Sequence, residues 1–122
     1  MKRLAVLTSG GDSPGMNAAI RATARTAISE GLEVYGVMRG FEGLIDNDIK
    51  PLRARDVGGI IHRGGTILQT ARSKRFQTEE GITKAVKNLE VLGIDSLVVI
   101  GGDGSFRGAA ELEKRGVAVA GI

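Results

Sequence analysis

Leu97-Val98-Val99-Ile100-Gly101-Gly102-Asp103-Gly104-Ser105 sets four apolar residues, three of them β-branched, directly against a glycine-rich run. A helical pattern follows from Phe106 through Arg115, so the segment predicts a strand, a sharp turn and a helix. Such a junction forms an anion site. Glycines admit a ligand close to the backbone, the N–H groups of the turn are unpaired, and the helix dipole favours negative charge at that end. Phosphate is the natural guest. A bare phosphate would be repelled by Asp103, so the carboxylate is expected to meet it through a hard cation such as Mg²⁺, shared with nucleotide oxygens. The alternative is an ordinary glycine-rich turn in which Ser105 caps the helix and Asp103 is solvated.

Composition sets the outer limits. The 122 residues correspond to about one domain, and 42% of them are hydrophobic, enough to bury a core. The longest apolar run is too short to span a bilayer. The amino end, Met1-Lys2-Arg3-Leu4-Ala5-Val6-Leu7-Thr8, passes into a glycine loop without the pattern of a signal peptide. Cysteine is absent, which removes disulfide and thiolate–metal chemistry and makes a cytoplasmic location the default expectation. The net charge of +3 would permit nucleic-acid binding, but aromatics are only 3% and stacking platforms are lacking. No nucleic-acid or membrane partner is expected; small anions fit the charge better.

The chain opens with a buried strand, Arg3 to Thr8, then the loop Ser9-Gly10-Gly11-Asp12-Ser13-Pro14-Gly15, then a helix from Met16 to about Glu30. Met16, Ala19, Ile20, Ala27 and Ile28 share one face of that helix, and Arg21 and Arg25 share another, one turn apart. Gly10 to Gly15 has the glycine spacing that opens a Walker A loop, but Met16-Asn17 stands where Lys-Ser/Thr is required. The dinucleotide pattern Gly-x-Gly-x-x-Gly is not matched either. What remains is a second glycine turn between a strand and a helix. Two such turns on neighbouring strands would lie side by side at the crevice of a doubly wound sheet.

A second strand, Glu33 to Met38, closes in the turn Arg39-Gly40-Phe41-Glu42-Gly43, whose Phe41 either stacks on a base or packs against its own loop. Leu44 to Arg55 reads as irregular, with Pro51 against regular structure, and a short helix is expected from about Asp56 to His62. His62, the one histidine, has no Glu or His partner at ligand spacing and reads as structural. Arg63-Gly64-Gly65-Thr66 follows, and then Arg72, Lys74 and Arg75 fall within four residues. That run is either a solvated loop or, beside two phosphate turns, the source of an arginine that bridges phosphates bidentately. The last unit begins with a helix from Thr78 to Leu92, with Ile82, Ala85, Val86 and Leu89 in one stripe and Glu79 and Glu80 in the first turn, ended by Gly93. The strand Ser96 to Ile100, the Gly101 turn, a helix to about Arg115 and a strand opening at Val117 complete it. The alternation predicts a three-layer α/β fold, a mostly parallel sheet with helices on both faces. A sheet of this kind does not stop in mid-strand, so the chain is expected to be the front part of something longer.

Three segments then carry a family resemblance: Leu7-Thr8-Ser9-Gly10-Gly11-Asp12-Ser13-Pro14-Gly15-Met16-Asn17-Ala18, Arg63-Gly64-Gly65-Thr66 with Ala71-Arg72, and Val98 through Ser105. In this order and spacing the chain resembles the bacterial ATP-dependent 6-phosphofructokinases from end to end. Gly-Gly-Asp-Gly is shared with NAD kinases and diacylglycerol kinases, whereas Thr8 to Asn17 is the specific part. The resemblance implies a Rossmann-like phosphofructokinase fold in truncated form, with residues 1–122 as its ATP-binding amino-terminal part. It implies transfer of the γ-phosphoryl of MgATP to fructose 6-phosphate, giving fructose 1,6-bisphosphate and ADP, with ATP as co-substrate and Mg²⁺ as cofactor. A cytoplasmic homotetramer and a nucleotide or phosphoenolpyruvate effector are implied for the full-length protein.

By the same resemblance Gly11 gives its backbone to the nucleotide phosphates, Arg72 bridges the phosphoryl group in flight, and Asp103 holds Mg²⁺. Ser73, Gly102, Gly104, Ser105 and Gly108 line the ATP cleft, and Arg21 and Arg25 match arginines that bind effector phosphates at a subunit interface. Phe41 stands where the family often has tyrosine, and Ala54 stands where a further effector arginine is often found. Gly104, in place of the aspartate typical of pyrophosphate users, points to ATP as donor. The family's catalytic loop, Gly-Thr-Ile-Asp-Asn-Asp, is expected immediately after Ile122, and its sugar-phosphate residues lie farther along and in a neighbouring subunit. A piece of these 122 residues is therefore expected to be inactive alone. Ile45-Asp46-Asn47-Asp48 repeats the last four letters of that loop, but Glu42-Gly43-Leu44 precedes it, and it reads as coincidence. The alternatives are another Gly-Gly-Asp-Gly kinase acting on NAD or a lipid, and a non-catalytic nucleotide-binding module.

Overall fold

The computed structural model describes residues 2–10, 15–60 and 65–122, apart from the side chains of Asp103 and Gly104. Gly11, Asp12, Ser13 and Pro14 of the first glycine loop, together with His62, Arg63 and Gly64, lie outside the described residues. The elements run β1 (Arg3–Thr8), α1 (Met16–Ser29), β2 (Glu33–Val37), α2 (Gly40–Asp46), β3 (Ile49–Leu52), α3 (Glu79–Val91), β4 (Ser96–Ile100), α4 (Asp103–Glu113) and β5 (Ala118–Gly121). The five strands form one sheet in the order β3-β2-β1-β4-β5, parallel except for the β2–β3 pair. No helix among the described residues is long and apolar enough to cross a membrane.

The period of two along the central strands divides the core. Ala5, Leu7, Leu97 and Val99 face one side, where α2, α3 and α4 bring Leu44, Ile82, Leu89 and Leu112. Val6, Val98 and Ile100 face the other, against Met16, Ile20, Ala24 and Ala27 of α1. The expected three-layer, mostly parallel architecture is therefore the observed one, and β1 and β4 are buried on both faces, as their continuous apolar runs require. Helix α3 starts as its sequence dictates. Thr78 accepts the Gly81 N–H at 3.0 Å, Glu79 and Glu80 occupy the first turn, and Gly93 beyond its end has φ +68°.

Three expectations are corrected. The region read as a turn and irregular loop, Arg39 to Arg55, is a seven-residue helix, α2, followed by an edge strand, β3. Arg39 and Gly40 both have φ +59°, and any Cβ on Gly43 would run into the Met38 carbonyl. The two glycines thus let a short helix turn tightly onto the sheet. Pro51 pairs opposite Tyr35 in β3, at the edge where a missing N–H is tolerated. The short helix expected over 56–62 is not continuous in its described part: a 3₁₀ turn, Ala54–Asp56, ends at Asp56, whose carboxylate accepts the Arg53 N–H at 2.7 Å, a turn follows, and Ile60 is again in 3₁₀ conformation. Finally, α4 begins at Asp103, three residues before Phe106, with Gly102 at its cap. Ser105 is therefore not the cap but a buried first-turn residue, 4% exposed.

Candidate functional site

Parallel pairing of β1 and β4 sets Thr8 beside Ile100, and the Ser9 N–H continues the ladder to the Ile100 carbonyl at 2.9 Å. The two glycine turns therefore leave the carboxyl edge of the sheet side by side, at the point where β2 and β5 diverge to opposite sides. Gly10 has φ +87°. At Gly101 a Cβ would meet the Ser105 hydroxyl and come within 2.5 Å of the Ser9 carbonyl oxygen, so the seam between the turns closes only on glycine. Helix α4 opens directly from this seam, its amino end turned toward it, with the Ser105 N–H donating back to the Gly102 carbonyl at 3.0 Å. The expected adjacency of the two glycine turns is thus present in the fold, although Gly11 and the side chain of Asp103 lie outside the described atoms.

A cleft of about 1290 Å³ runs from this seam over α4, on the α2–α3–α4 side of the sheet. Ser9, Gly10, Gly102, Ser105 and Gly108 form one wall, and Thr70, Ala71, Arg72, Ser73 and Lys74 form the other. Of the sequence-expected residues with described side chains, Arg72, Ser73, Gly102, Ser105 and Gly108 therefore share one cavity. Arg72 is exposed, and among the described residues no hydrogen bond or ion pair engages its guanidinium. Phe41, open at first to either reading, is 7% exposed and stacks on Phe76 with ring centroids 4.3 Å apart. It forms cleft floor against a neighbouring ring, not a free face in its own loop. A smaller recess of about 440 Å³, on the α1 side, is lined by Gly15, Met16, Ala19 and Ile122 and shares Ser9, Gly10 and Gly102 with the larger one.

The loop carrying Arg72 is tied to the sheet by polar residues that sequence reasoning did not single out. Thr8 and Asn17 are both 0% exposed. The Thr8 hydroxyl donates to the Gln69 carbonyl at 3.0 Å and lies 3.0 Å from the Thr66 hydroxyl, and Asn17 Oδ1 accepts the Ile67 N–H at 2.8 Å. A polar residue closing an apolar strand and an Asn on the apolar face of a helix were the available signals, since buried polar groups need partners. Asp46, in the segment that mimics a catalytic loop, is engaged elsewhere: Arg75 lies 2.8 Å and Arg39 3.2 Å from its carboxylate. These guanidinium contacts hold its carboxyl below the ordinary range. Glu42 is likewise lowered, first by Arg75 and then by Ser73, while Arg75 is pushed up by both carboxylates. Arg21 and Arg25 ride on α1, across the sheet from the larger cleft. Arg25 is exposed, and the buried Nε of Arg21 has no hydrogen-bond partner among the described residues.

The phosphofructokinase family pattern matches residues 3–122. The ATP-dependent 6-phosphofructokinase of Shouchella clausii (strain KSM-K16) is 60% identical over 122 residues, all of this chain and 38% of that protein. Among solved structures, the phosphofructokinase from Saccharomyces cerevisiae superposes with a TM-score of 0.94 at 40% identity, over 100% of this chain and 20% of that one. A pyrophosphate-dependent phosphofructokinase from Marinobacter aquaeolei shares the fold alone, with a TM-score of 0.82 at 19% identity over 100% of this chain and 32% of its own. The chain spans 38% of the length of the curated relatives it matches.

Proposed function

The chain belongs to the phosphofructokinase family, and from that premise we propose that residues 1–122 form the ATP-binding side of an ATP-dependent 6-phosphofructokinase. The observation that carries the reading is the cleft that Arg72, unpaired among the described residues, shares with two adjacent glycine turns at the amino end of α4. Phosphoryl transfer needs little covalent help from the protein; it needs the phosphates positioned and their charge neutralised. The backbone of Gly11 binds the phosphates, with Ser73, Gly102, Gly104, Ser105 and Gly108 lining the nucleotide cleft, and the Arg72 guanidinium follows the group that moves. The sugar 1-hydroxyl forms the new bond to the γ-phosphorus as the bond to the ADP oxygen breaks, and the hydroxyl proton passes to a base outside these residues. The smaller recess shares Ser9, Gly10 and Gly102 with the nucleotide cleft, so a phosphoryl group at that shared edge is reachable from both.

The donor set suits Mg²⁺. That ion binds through one or two carboxylates together with phosphate oxygens, and Asp103, first residue of α4, supplies a carboxylate where the phosphates are expected. When bound, the ion neutralises phosphate charge. ATP is the donor on this reading, because Gly104 stands where pyrophosphate users typically carry aspartate and because relatives named ATP-dependent are 57–60% identical while the pyrophosphate-dependent neighbour is 19% identical. Arg21 and Arg25 serve an effector phosphate, nucleotide or phosphoenolpyruvate, at an interface of a homotetramer, and the protein works in the cytoplasm. Membership of the family sets aside the NAD- and lipid-kinase alternative.

The test is a coupled assay with fructose 6-phosphate on the protein at the full length of its relatives. Turnover with ATP far above that with pyrophosphate is expected; equal turnover with pyrophosphate, or none with either donor, would overturn the assignment. A purified piece of these 122 residues alone is expected to give no detectable turnover, because base and sugar site are both placed outside it.

A further inference from the structure

The span that carries Arg72 is fastened at both ends to one short element, α2 with the residue before it. Upstream, the Arg39 N–H donates to the Leu68 carbonyl at 2.8 Å. Downstream, a single carboxylate gathers two side chains: the Ser73 hydroxyl donates to Glu42 Oε1 at 2.7 Å, and Arg75 grips the same group with Nε 3.2 Å from Oε1 and Nη2 2.9 Å from Oε2. Arg75 Nη2 also reaches Asp46 at 2.8 Å, and Asp46 in turn accepts from Arg39 at 3.2 Å, so the two fastenings are joined. The Ser73 hydroxyl accepts the Phe76 N–H at 3.3 Å, and the Phe76 ring stacks on Phe41, the residue before Glu42. Between Gln69, held by Thr8, and Ser73, held by Glu42, lie only Thr70, Ala71 and Arg72.

Stability alone does not account for this arrangement. The Arg75 and Glu42 side chains are 47% and 21% exposed, and ion pairs at such exposure add little to folding. A two-pronged arginine–carboxylate pair does fix orientation, because both planes are locked together. We propose that Glu42 and Arg75 are positioning residues. Their clamp, closed through Ser73, holds the loop so that Arg72 meets the transferring phosphoryl group, and neither residue itself touches the nucleotide phosphates. This rests on the reading of Arg72 given above.

The experiment measures kcat, KM for MgATP and thermal midpoint in the full-length protein for Glu42→Gln, Arg75→Lys, Arg72→Ala and the double variant Glu42→Gln/Arg72→Ala. Glu42→Gln is expected to lower kcat roughly tenfold with KM for MgATP within about twofold, since small misplacements of a transition-state group act on turnover. Arg75→Lys, which keeps the charge and loses one prong, should lose less in the same direction, and it carries the test if Glu42→Gln does not fold. In the Arg72→Ala background the Glu42→Gln substitution should cost nothing further, because there is no guanidinium left to position. An unchanged kcat in both clamp variants, or an equal loss with and without Arg72, would overturn the proposal while leaving Arg72 in its role. An unchanged kcat in Arg72→Ala would instead overturn the reading on which the proposal rests.

Discussion

Arg72 and Arg75 stand three residues apart in one cationic run and are used in opposite ways. Arg75 is pinned to Glu42 and Asp46 on α2, with its charge answered by two carboxylates. Arg72 stands in the cleft opposite Gly102, exposed and, among the described residues, unpaired. A cation whose charge is already answered shapes the loop; a cation left unanswered beside two glycine turns is available for a ligand. The same contrast separates Arg3, bonded to Glu33 at 2.9 Å across the first residues of β1 and β2, from Arg21 and Arg25 on α1. Like charges four residues apart on a helix repel by a few tenths of a kcal/mol, so that pair is better explained by an anion than by helix stability.

The largest effect should come from the unpaired side. Arg72→Ala is expected to lower turnover by about 10³-fold or more, the range for arginines that meet the transferring phosphoryl, whereas Arg75→Ala should stay within about tenfold to thirtyfold. Similar losses for the two would erase the contrast. Asp103→Asn comes next. If the carboxylate holds a cation that neutralises developing charge, turnover at saturating Mg²⁺ should fall about 10²-fold while ADP affinity changes much less; unchanged turnover would contradict this. Arg25→Ala should raise the effector concentration for half-maximal response by about tenfold, the scale of one lost charge-assisted contact; an unshifted response would return Arg21 and Arg25 to a solvated basic face.

The smallest effect concerns pH. Glu42 and Asp46 are held below their ordinary values by the guanidinium groups. Their contribution to stability is therefore complete above the unfolded carboxylate range and is lost as pH falls through the lowered folded values. Between about pH 5 and pH 3 the thermal midpoint of the native protein should fall more steeply than that of Glu42→Gln, with no such difference from pH 6 to 8. Parallel curves throughout would show that the clamp does not persist in solution.

What the sequence made legible follows the strength of local rules. The buried central strands and the three long amphipathic helices carry apolar periodicity with clear end signals, and their bounds fall within a few residues of those expected. The pairing of the two glycine turns also followed, since both end strands that must be central to be so apolar. The segment between β2 and α3 resisted for a physical reason. Its helix is seven residues long and contains two glycines, which read as turn residues and serve instead as close-contact points, and Pro51 reads as a breaker although an edge strand accepts it. The start of α4 was placed late because Gly104 weakens the helical pattern while the helix has already begun at Asp103. The division of labour between Arg72 and Arg75 was not legible at all, because it depends on where α2 puts Glu42 and Asp46.

The central claim, that nucleotide phosphates and their cation sit at the seam of the two glycine turns, is tested most directly by a crystal structure of the full-length protein with ADP and Mn²⁺ in place of Mg²⁺. The account predicts an anomalous peak beside the Asp103 carboxylate, with the ADP phosphates against the amino end of α4 and the Arg72 guanidinium turned toward them. Nucleotide bound elsewhere, with no metal peak at Asp103 and Arg72 facing solvent, would contradict it.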